Sequence, residues 1–455
     1  MNFALAKGRK KINIDPSLVI TLVFMFIILF GATLLTLPIS SKEGVFTDFL
    51  SALFTATSAT CVTGLVVVDT YLHWSTFGQV VIISLIQIGG LGFMTMATLF
   101  SLMVRRNISY RERMLMAQSL SLFNMKGVVR ITKHILLGTL AFEGTGAIIL
   151  SIRFIPEFGI SGGIFRGIFT SISAFCNAGF DLMGSKGAFS SLTSYAEDIT
   201  INIVVALLII IGGLGFIVWE EIYTVHNFSK FSIYTKIVLI TTGILILSGA
   251  ILIFAAEFSN PATLEPLSMK GKILASFFQS VTPRTAGFNT IGLGSLRDIT
   301  TVIITILMFI GAASGSTGGG IKVATASILI YTFISVLRGR KDVVIMKRHI
   351  SQETVLRAFA LTFMGFIMVL ICSVIISFTN DFDFLSIMFE CVSAFATVGL
   401  TVGITSLMSD LGLVLLIILM FFGRVGILTI TYALFTRLKT SEDKIEYPEG
   451  KILIG

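Results

Sequence analysis

Four times along this chain a short apolar stretch, too brief to cross a bilayer, runs into a glycine and is followed by a much longer apolar stretch. The four segments are SATCVTGL (58–65), SAFCNAGF (173–180), TPRTAGFN (282–289) and SAFATVGL (393–400). Their glycines, Gly64, Gly179, Gly287 and Gly399, lie 115, 108 and 112 residues apart. Repetition at that period builds one chain from four similar units. Four units in one membrane chain are what four-fold pore symmetry looks like when written covalently, and they point to ion permeation.

The bilayer as solvent follows from composition. The 455 residues are 55% hydrophobic and 13% charged, whereas soluble domains carry about 25% charged residues. The first apolar run, Leu18–Leu37, is long enough to span and has no small-residue cleavage site, so it reads as a helix and not as a cleavable signal. The four cysteines and four histidines are scattered without ligand spacing, which leaves no metal site beyond one for a monovalent cation. The net charge of +8 reports orientation. Twenty-two of the 33 Lys and Arg fall in 1–15, 105–133, 220–236, 338–349 and 437–455, the bias of cytoplasmic segments. Both termini are therefore expected in the cytoplasm.

Each unit reads as outer helix, half-crossing, loop and inner helix. The outer helices are Pro16–Leu37, Arg130–Arg153, Tyr234–Ala256 and Gln352–Phe378; the inner ones are Phe77–Val104, Ile199–Tyr223, Ile299–Val336 and Leu411–Thr436. Between them lie Phe46–Ala59, Ile164–Ala174, Lys272–Val281 and Phe384–Ala394. About 12 helical residues rise about 18 Å, little more than half of a hydrocarbon core of about 30 Å, so these segments enter and leave on one side. The expected fold is an all-α polytopic membrane protein with pseudo-four-fold symmetry, eight spanning helices and four re-entrant pore loops. Its parts are a cytoplasmic N-terminus (1–15), repeat 1 (16–104), a cytoplasmic linker (105–129), repeat 2 (130–224), repeat 3 (234–337), repeat 4 (351–436) and a cytoplasmic tail (437–455).

Non-helical backbone at membrane depth is tolerated only where it is buried or lines water, so the four loop ends should converge on a wet axis. A run of carbonyls aimed the same way needs dihedrals that glycine permits, and such carbonyls can replace the hydration shell of a cation. The expected filter comprises Thr60, Cys61, Val62, Thr63 and Gly64; Phe175, Cys176, Asn177, Ala178 and Gly179; Pro283, Arg284, Thr285, Ala286 and Gly287; and Phe395, Ala396, Thr397, Val398 and Gly399. The competing reading of each glycine is an ordinary helix stop; recurrence at four equivalent places argues against it.

The inner helices carry a second signal: GGLGF at 89–93 and 212–216, and FFGRVG in the fourth. The third departs from it. Residues 311–321 hold Gly311, Ser314, Gly315, Ser316, Thr317, Gly318, Gly319 and Gly320. Glycine costs about 1 kcal/mol per residue in a helix interior, so this stretch should break the helix and form an intramembrane gating loop. Without GK[ST] or a preceding strand it is not a nucleotide loop. Arg424 lies at a similar depth, as an electrostatic barrier, as an anchor of the loop through its carbonyls, or as a snorkelling or ion-paired structural arginine, and Lys322, just past the loop, is a second positive landmark. Glu390 is expected to pair with Arg284 behind the filter, and Glu143, inside an outer helix, reads as structural support or as a proton relay.

These motifs (SATCVTGLVVVDT, IQIGGLGFMT, AFCNAGF, VTPRTAGFN, the Gly-rich third inner helix, SAFATVGLT and FFGRVG) resemble the Trk/Ktr/HKT superfamily of potassium transporters, and most closely the membrane (KtrB-type) subunit of bacterial Ktr systems. The resemblance spans nearly the whole chain. It implies K+ as the permeant ion at the filter glycines, Na+ as an activator, and a homodimer of two separate pores in the bacterial cell membrane. It also implies a cytosolic ring of nucleotide-binding regulatory subunits (RCK-type, KtrA/KtrC-like). The basic stretches 105–133 and 338–349 are candidate docking surfaces for that ring, or simply solvated, lipid-facing charge. A Na+- or H+-coupled K+ symporter using the same filter is the alternative reading. An enzyme is not expected, since no Ser/Lys, paired-Asp or HExxH constellation is present.

Overall fold

The computed structural model describes residues 16–92, 114, 127–340 and 342–426; expectations that fall on 1–15, 93–113, 115–126, 341 and 427–455 lie outside the described residues. Thirteen longer helices order the description. They are α1 (Pro16–Thr36), α2 (Phe49–Cys61), α3 (Thr76–Leu91), α4 (Val128–Phe175), α5 (Ile199–Leu214), α6 (Phe216–Val225), α7 (Ile233–Glu257), α8 (Met269–Val281), α9 (Asp298–Phe309), α10 (Val323–Leu337), α11 (Gln352–Thr379), α12 (Phe384–Phe395) and α13 (Asp410–Val425). Among the described residues α1, α4, α7 and α11 are each long and apolar enough to cross a membrane, and α5 with α6 would make a fifth, broken span.

Local chemistry sets where the helices begin. The Asp48 carboxylate accepts from the Ser51 N–H ahead of α2, and Asp383 caps α12 in the same way. Ser268 caps α8, while Ser75, Asp198 and Ser409 cap α3, α5 and α13. Each side chain satisfies an orphan donor of the first turn. The short α2, α8 and α12 are buried along most of their length by large side chains such as Phe54, Phe278 and Phe389. The long helices instead leave apolar residues exposed: Phe26 on α1, Ile152 on α4, Leu247 on α7 and Phe363 on α11. That inversion is expected where the solvent is hydrocarbon.

Three features differ from the sequence expectation. The second outer helix and its short partner, expected with a gap between them, run on as two helical arms, together labelled α4, that meet at the non-helical Gly159 (φ 73°, ψ 171°), where the chain folds back, with Pro156 just before the turn. The two arms touch through small residues: a Cβ on Gly163 would stand 2.6 Å from the Ile155 Cα, and one on Gly167 2.2 Å from the Ser151 Oγ. The second inner helix, expected as Ile199–Tyr223, is broken: Gly215 (φ 93°) separates α5 from α6, which are bent by 93°. GGLGF thus marks a break, not a continuous span. Finally, the described residues are not wholly α-helical. The basic stretch after α10 folds into an antiparallel hairpin, β1 (Val343–Ile345) with β2 (Arg348–Ile350), turning through Met346 and Lys347, both at positive φ.

Replacing Gly167 by leucine should prevent the arms of α4 from closing. Overpacking of this kind costs about 1–3 kcal/mol or more, so the variant is expected to show a clearly lower melting temperature, or loss of the monodisperse peak, in detergent.

Candidate functional site

The four glycine loops meet. A Cβ built on Gly64 would lie 2.5 Å from the carbonyl oxygen of Ala178; one on Gly179, 2.7 Å from that of Ala286; one on Gly287, 2.6 Å from that of Val398; and one on Gly399, 2.1 Å from that of Thr63. Each glycine thus faces the carbonyl preceding the next glycine, and the fourth returns to the first, closing a ring. All four have positive φ, at 100°, 70°, 81° and 88°. Conformation and crowding therefore both exclude a side chain.

Two residues before each glycine, Val62, Asn177, Thr285 and Thr397 also take positive φ (59°, 59°, 71° and 51°), a conformation that costs an ordinary L-residue of order 1–3 kcal/mol. Left-handed residues at alternate positions of four equivalent loops indicate a backbone shaped as a unit. Hydrogen bonds inside each loop hold it. Thr63 N–H donates to Ser58 O (2.7 Å), Ala178 N–H to Ser173 O (2.7 Å), Ala286 N–H to Thr282 O (2.9 Å) and Val398 N–H to Ser393 O (2.8 Å). The Ser58 and Ser393 hydroxyls accept from the Gly64 and Gly399 N–H groups at 3.0 and 3.1 Å, and the Thr282 hydroxyl donates to Phe288 O at 2.5 Å. With these N–H groups tied back, the carbonyls of Thr63, Ala178, Ala286 and Val398 stand against the ring glycines.

Inner-helix glycines bring the next layer close. A Cβ on Gly89, Gly212 or Gly423 would stand within about 2 Å of the carbonyl of Thr60, Phe175 or Phe395, each four residues before a ring glycine. The stretch 311–321 is non-helical, as its glycines predict. Its ends pair through Gly311 N–H to Ile321 O (2.9 Å). Its middle is tied to the α5–α6 break: Ala313 N–H donates to Gly213 O, Thr317 N–H to Gly212 O, and Phe216 N–H to Gly315 O at 2.8 Å. The Ser316 hydroxyl donates to Ala313 O, and the Tyr234 hydroxyl to Ser314 O. Gly318 and Gly319 press on the side chains of Thr285 and Thr397, and Gly320 on Ala396. The loop therefore lies directly against the third and fourth glycine loops.

Two cations fasten it. Arg424, on α13, donates through Nη1 to Thr317 O and through Nη2 to Gly89 O and, at 3.2 Å, to Gly90 O. One guanidinium so joins the loop, α3 and α13. Lys322 folds back to donate to Gly318 O (2.7 Å) and Gly319 O (3.2 Å). Of the roles open to Arg424, the contacts are those of an anchor.

The expected Glu390–Arg284 pair is absent. Glu390 accepts from the Thr401 hydroxyl (2.5 Å), the Val402 N–H (3.1 Å) and the Thr405 hydroxyl (2.8 Å), all in the segment following its own loop. Arg284 faces α7 instead, donating to the Thr242 hydroxyl at 3.4 Å, with its Nε and Nη1 unpartnered. Proximity to a ring glycine in sequence did not put the two side chains on one face. Glu143 accepts from Gln87 Nε2 at 3.1 Å and from the Cys176 thiol at 3.8 Å, while its backbone carbonyl accepts from the Ser171 hydroxyl. It therefore backs the second loop from outside the ring.

Sequence reasoning missed the left-handed residues, the capping hydroxyls of Ser58 and Ser393, and Tyr234. A signal existed for the serines: Ser58 and Ser393 each stand six residues before a ring glycine, although Ser173, at the same offset, has an unpartnered hydroxyl.

Together these features define a helical integral membrane protein in which four short helices deliver their loops to one ring, with a broken helix packed against it. A family model described as TrkH, cation transport protein, matches residues 15–446. The chain belongs to this family of cation transporters, which are not enzymes. Over 446 residues it is 42% identical to the Ktr system potassium uptake protein B of Bacillus subtilis, covering 98% of each chain. It is 40% identical to the potassium/sodium uptake protein NtpJ of Enterococcus hirae, covering 99% of each. The crystal structure of the potassium transporter TrkH from Vibrio parahaemolyticus superposes with a TM-score of 0.73 at 18% identity, over 96% of this chain and 87% of that one, which establishes a shared fold.

Because Glu390 and Arg284 do not touch, exchanging their charges (Glu390→Arg with Arg284→Glu) should leave the double variant no more stable than the worse single one. Glu390→Leu alone strands one N–H and two hydroxyls, at about 1–3 kcal/mol for each buried group left unpaired. Thermal unfolding of the four proteins checks both outcomes.

Proposed function

We propose that this chain is the potassium-translocating membrane subunit of an uptake system of the Ktr type, passing K+ along the axis of the glycine ring. The observation that carries the reading is the closed order Gly64, Gly179, Gly287, Gly399 and back to Gly64. It supports a throat walled by the carbonyls of residues 60–64, 175–179, 283–287 and 395–399. Carbonyls held by the fold replace hydration water around a cation, and the C-terminal ends of α2, α8, α12 and the second arm of α4 add negative potential there. In this reading the architecture is four covalent outer helix–pore helix–inner helix repeats around a pseudo-four-fold axis, in the bacterial plasma membrane with both termini cytoplasmic. Residues 311–321, with Lys322 and Arg424, are the gate, closed as described because the loop packs beneath the ring and two fixed positive charges stand beside it. A homodimer and a cytosolic nucleotide-binding ring complete the proposed system.

A coupled K+ symporter is the second reading, favoured by the printed activity of the potassium/sodium uptake relative. The buried acids speak for the pore: the Glu143 and Glu390 carboxylates are held by fixed donors behind the loops. A reversal potential that follows the Na+ or H+ gradient in proteoliposomes would transfer the assignment to the symporter.

Two variants test the pore. In a strain lacking its own potassium uptake, Gly287→Ser should abolish growth on micromolar K+ while membrane levels hold, because the hydroxymethyl group enters a 2.6 Å gap at φ 81°. Undiminished growth would sink the filter assignment. Arg424→Ala removes the ties to Thr317 and Gly89 together with a charge that costs a passing cation several kcal/mol at low dielectric. It should raise Rb+ flux at least several-fold, and an unchanged flux at normal expression would show that Arg424 does not gate.

A further inference from the structure

The 93° bend at Gly215 swings α6 away from the line of α5 and leaves a cavity of about 700 Å3 between α6 and the first arm of α4. We propose that this cavity seats one acyl chain of an anionic phospholipid. Its wall is apolar, formed by Leu137, Gly138, Phe142, Leu214, Phe216 and Trp219, and its size is that of a built ligand site. Trp219 is fixed in it: the indole N–H donates to Ile211 O at 2.8 Å, and the ring meets Phe142 and Phe216 at centroid distances of 5.5 and 5.2 Å. The polar end of the ring is thereby spent, and its apolar body is left to an apolar occupant.

The surroundings identify the occupant. The cavity opens beside α4, a helix long and apolar enough to span, between Leu137 and Tyr223, which are 55% and 71% exposed. Its mouth therefore meets hydrocarbon, where acyl chains are the available apolar solute. At the N-terminal end of α4 the chemistry changes within one turn. Arg130, Lys133 and His134 are all exposed there, and Glu220 is paired to His134 at 2.9 Å. That leaves the guanidinium of Arg130 and the ammonium of Lys133 for a phosphate. A chain in the cavity with its headgroup on these cations satisfies both ends of one amphiphile. It also packs against the bend, whose Phe216 lines the cavity and donates its N–H to Gly315 O of the 311–321 loop.

The two tryptophans make the site readable. In full-length protein carrying Trp74→Phe, Trp219 is the only indole, and phosphatidylglycerol brominated along its chains should quench it saturably at low mole fraction in detergent. Gly138→Leu, which fills the cavity, should abolish the saturable part. Arg130→Gln with Lys133→Gln should raise the phosphatidylglycerol midpoint roughly tenfold or more while leaving brominated phosphatidylcholine unaffected. Quenching that merely tracks total lipid, or that survives Gly138→Leu, overturns the site. Equal midpoints for phosphatidylglycerol, phosphatidylcholine and a brominated free fatty acid overturn the headgroup assignment. If Trp74→Phe does not fold, the same titration is read as the difference between the natural chain and Trp219→Phe. Native mass spectrometry of the natural chain and Gly138→Leu then gives the second measurement, with one retained anionic lipid expected in the former and none in the latter.

Discussion

The contact on which everything else rests is main chain against main chain: the alpha carbon of each ring glycine lies where the neighbouring loop presents a carbonyl. Backbones approach this closely only where side chains are missing and where no N–H competes for the same space. The loops serve both conditions by turning the N–H of the residue before each ring glycine, and those of Gly64 and Gly399, onto carbonyls and hydroxyls of the preceding helix end. The helices behind the ring serve the same requirement. Short buried helices aim the loops, and inner-helix glycines let α3, α5 and α13 press against the ends of those helices.

The intramembrane loop is stable for a related reason. Five glycines in ten residues would leave a helix without support, and an unpaired backbone at membrane depth is costly. Here the loop's polar groups are paired locally, with the α5–α6 break, and with Arg424 and Lys322. The helix break and the loop are thus one feature: the donors and acceptors released by each are satisfied by the other.

The outline was legible in the sequence because periodicity and glycine placement are written in residue identity. The ring glycines stand out at near-constant spacing, and the third inner helix announces its interruption through composition. What could not be read depends on facing and conformation. GGLGF occurs at 89–93 and at 212–216, and Gly92 (φ 80°) and Gly215 (φ 93°) both end their helices at positive φ; at Gly215, where the following helix is described, the 93° bend is matched by a loop that offers partners for the freed backbone. The left-handed Val62, Asn177, Thr285 and Thr397 have no common residue type, since tertiary constraint holds them. Glu390 found Thr401 and Thr405 downstream because hydroxyls along its own returning segment were nearer than a guanidinium in another repeat. The hairpin at 343–350 is an apolar run followed by three basic residues, with alternation too short to register as strands.

Only one of the four inner helices carries the glycine-rich interruption, and this follows from the four quarters being covalently joined yet unlike. In an assembly of identical subunits every edit is made fourfold, so a segment long enough to obstruct the axis would arrive as four copies competing for one space. In the proposed reading, a single polypeptide assigns obstruction to one quarter, anchorage to an arginine of the neighbouring quarter and scaffolding to the rest. On that proposal, asymmetry in the amino-acid sequence is the means by which a ring of four similar loops acquires a single gating part.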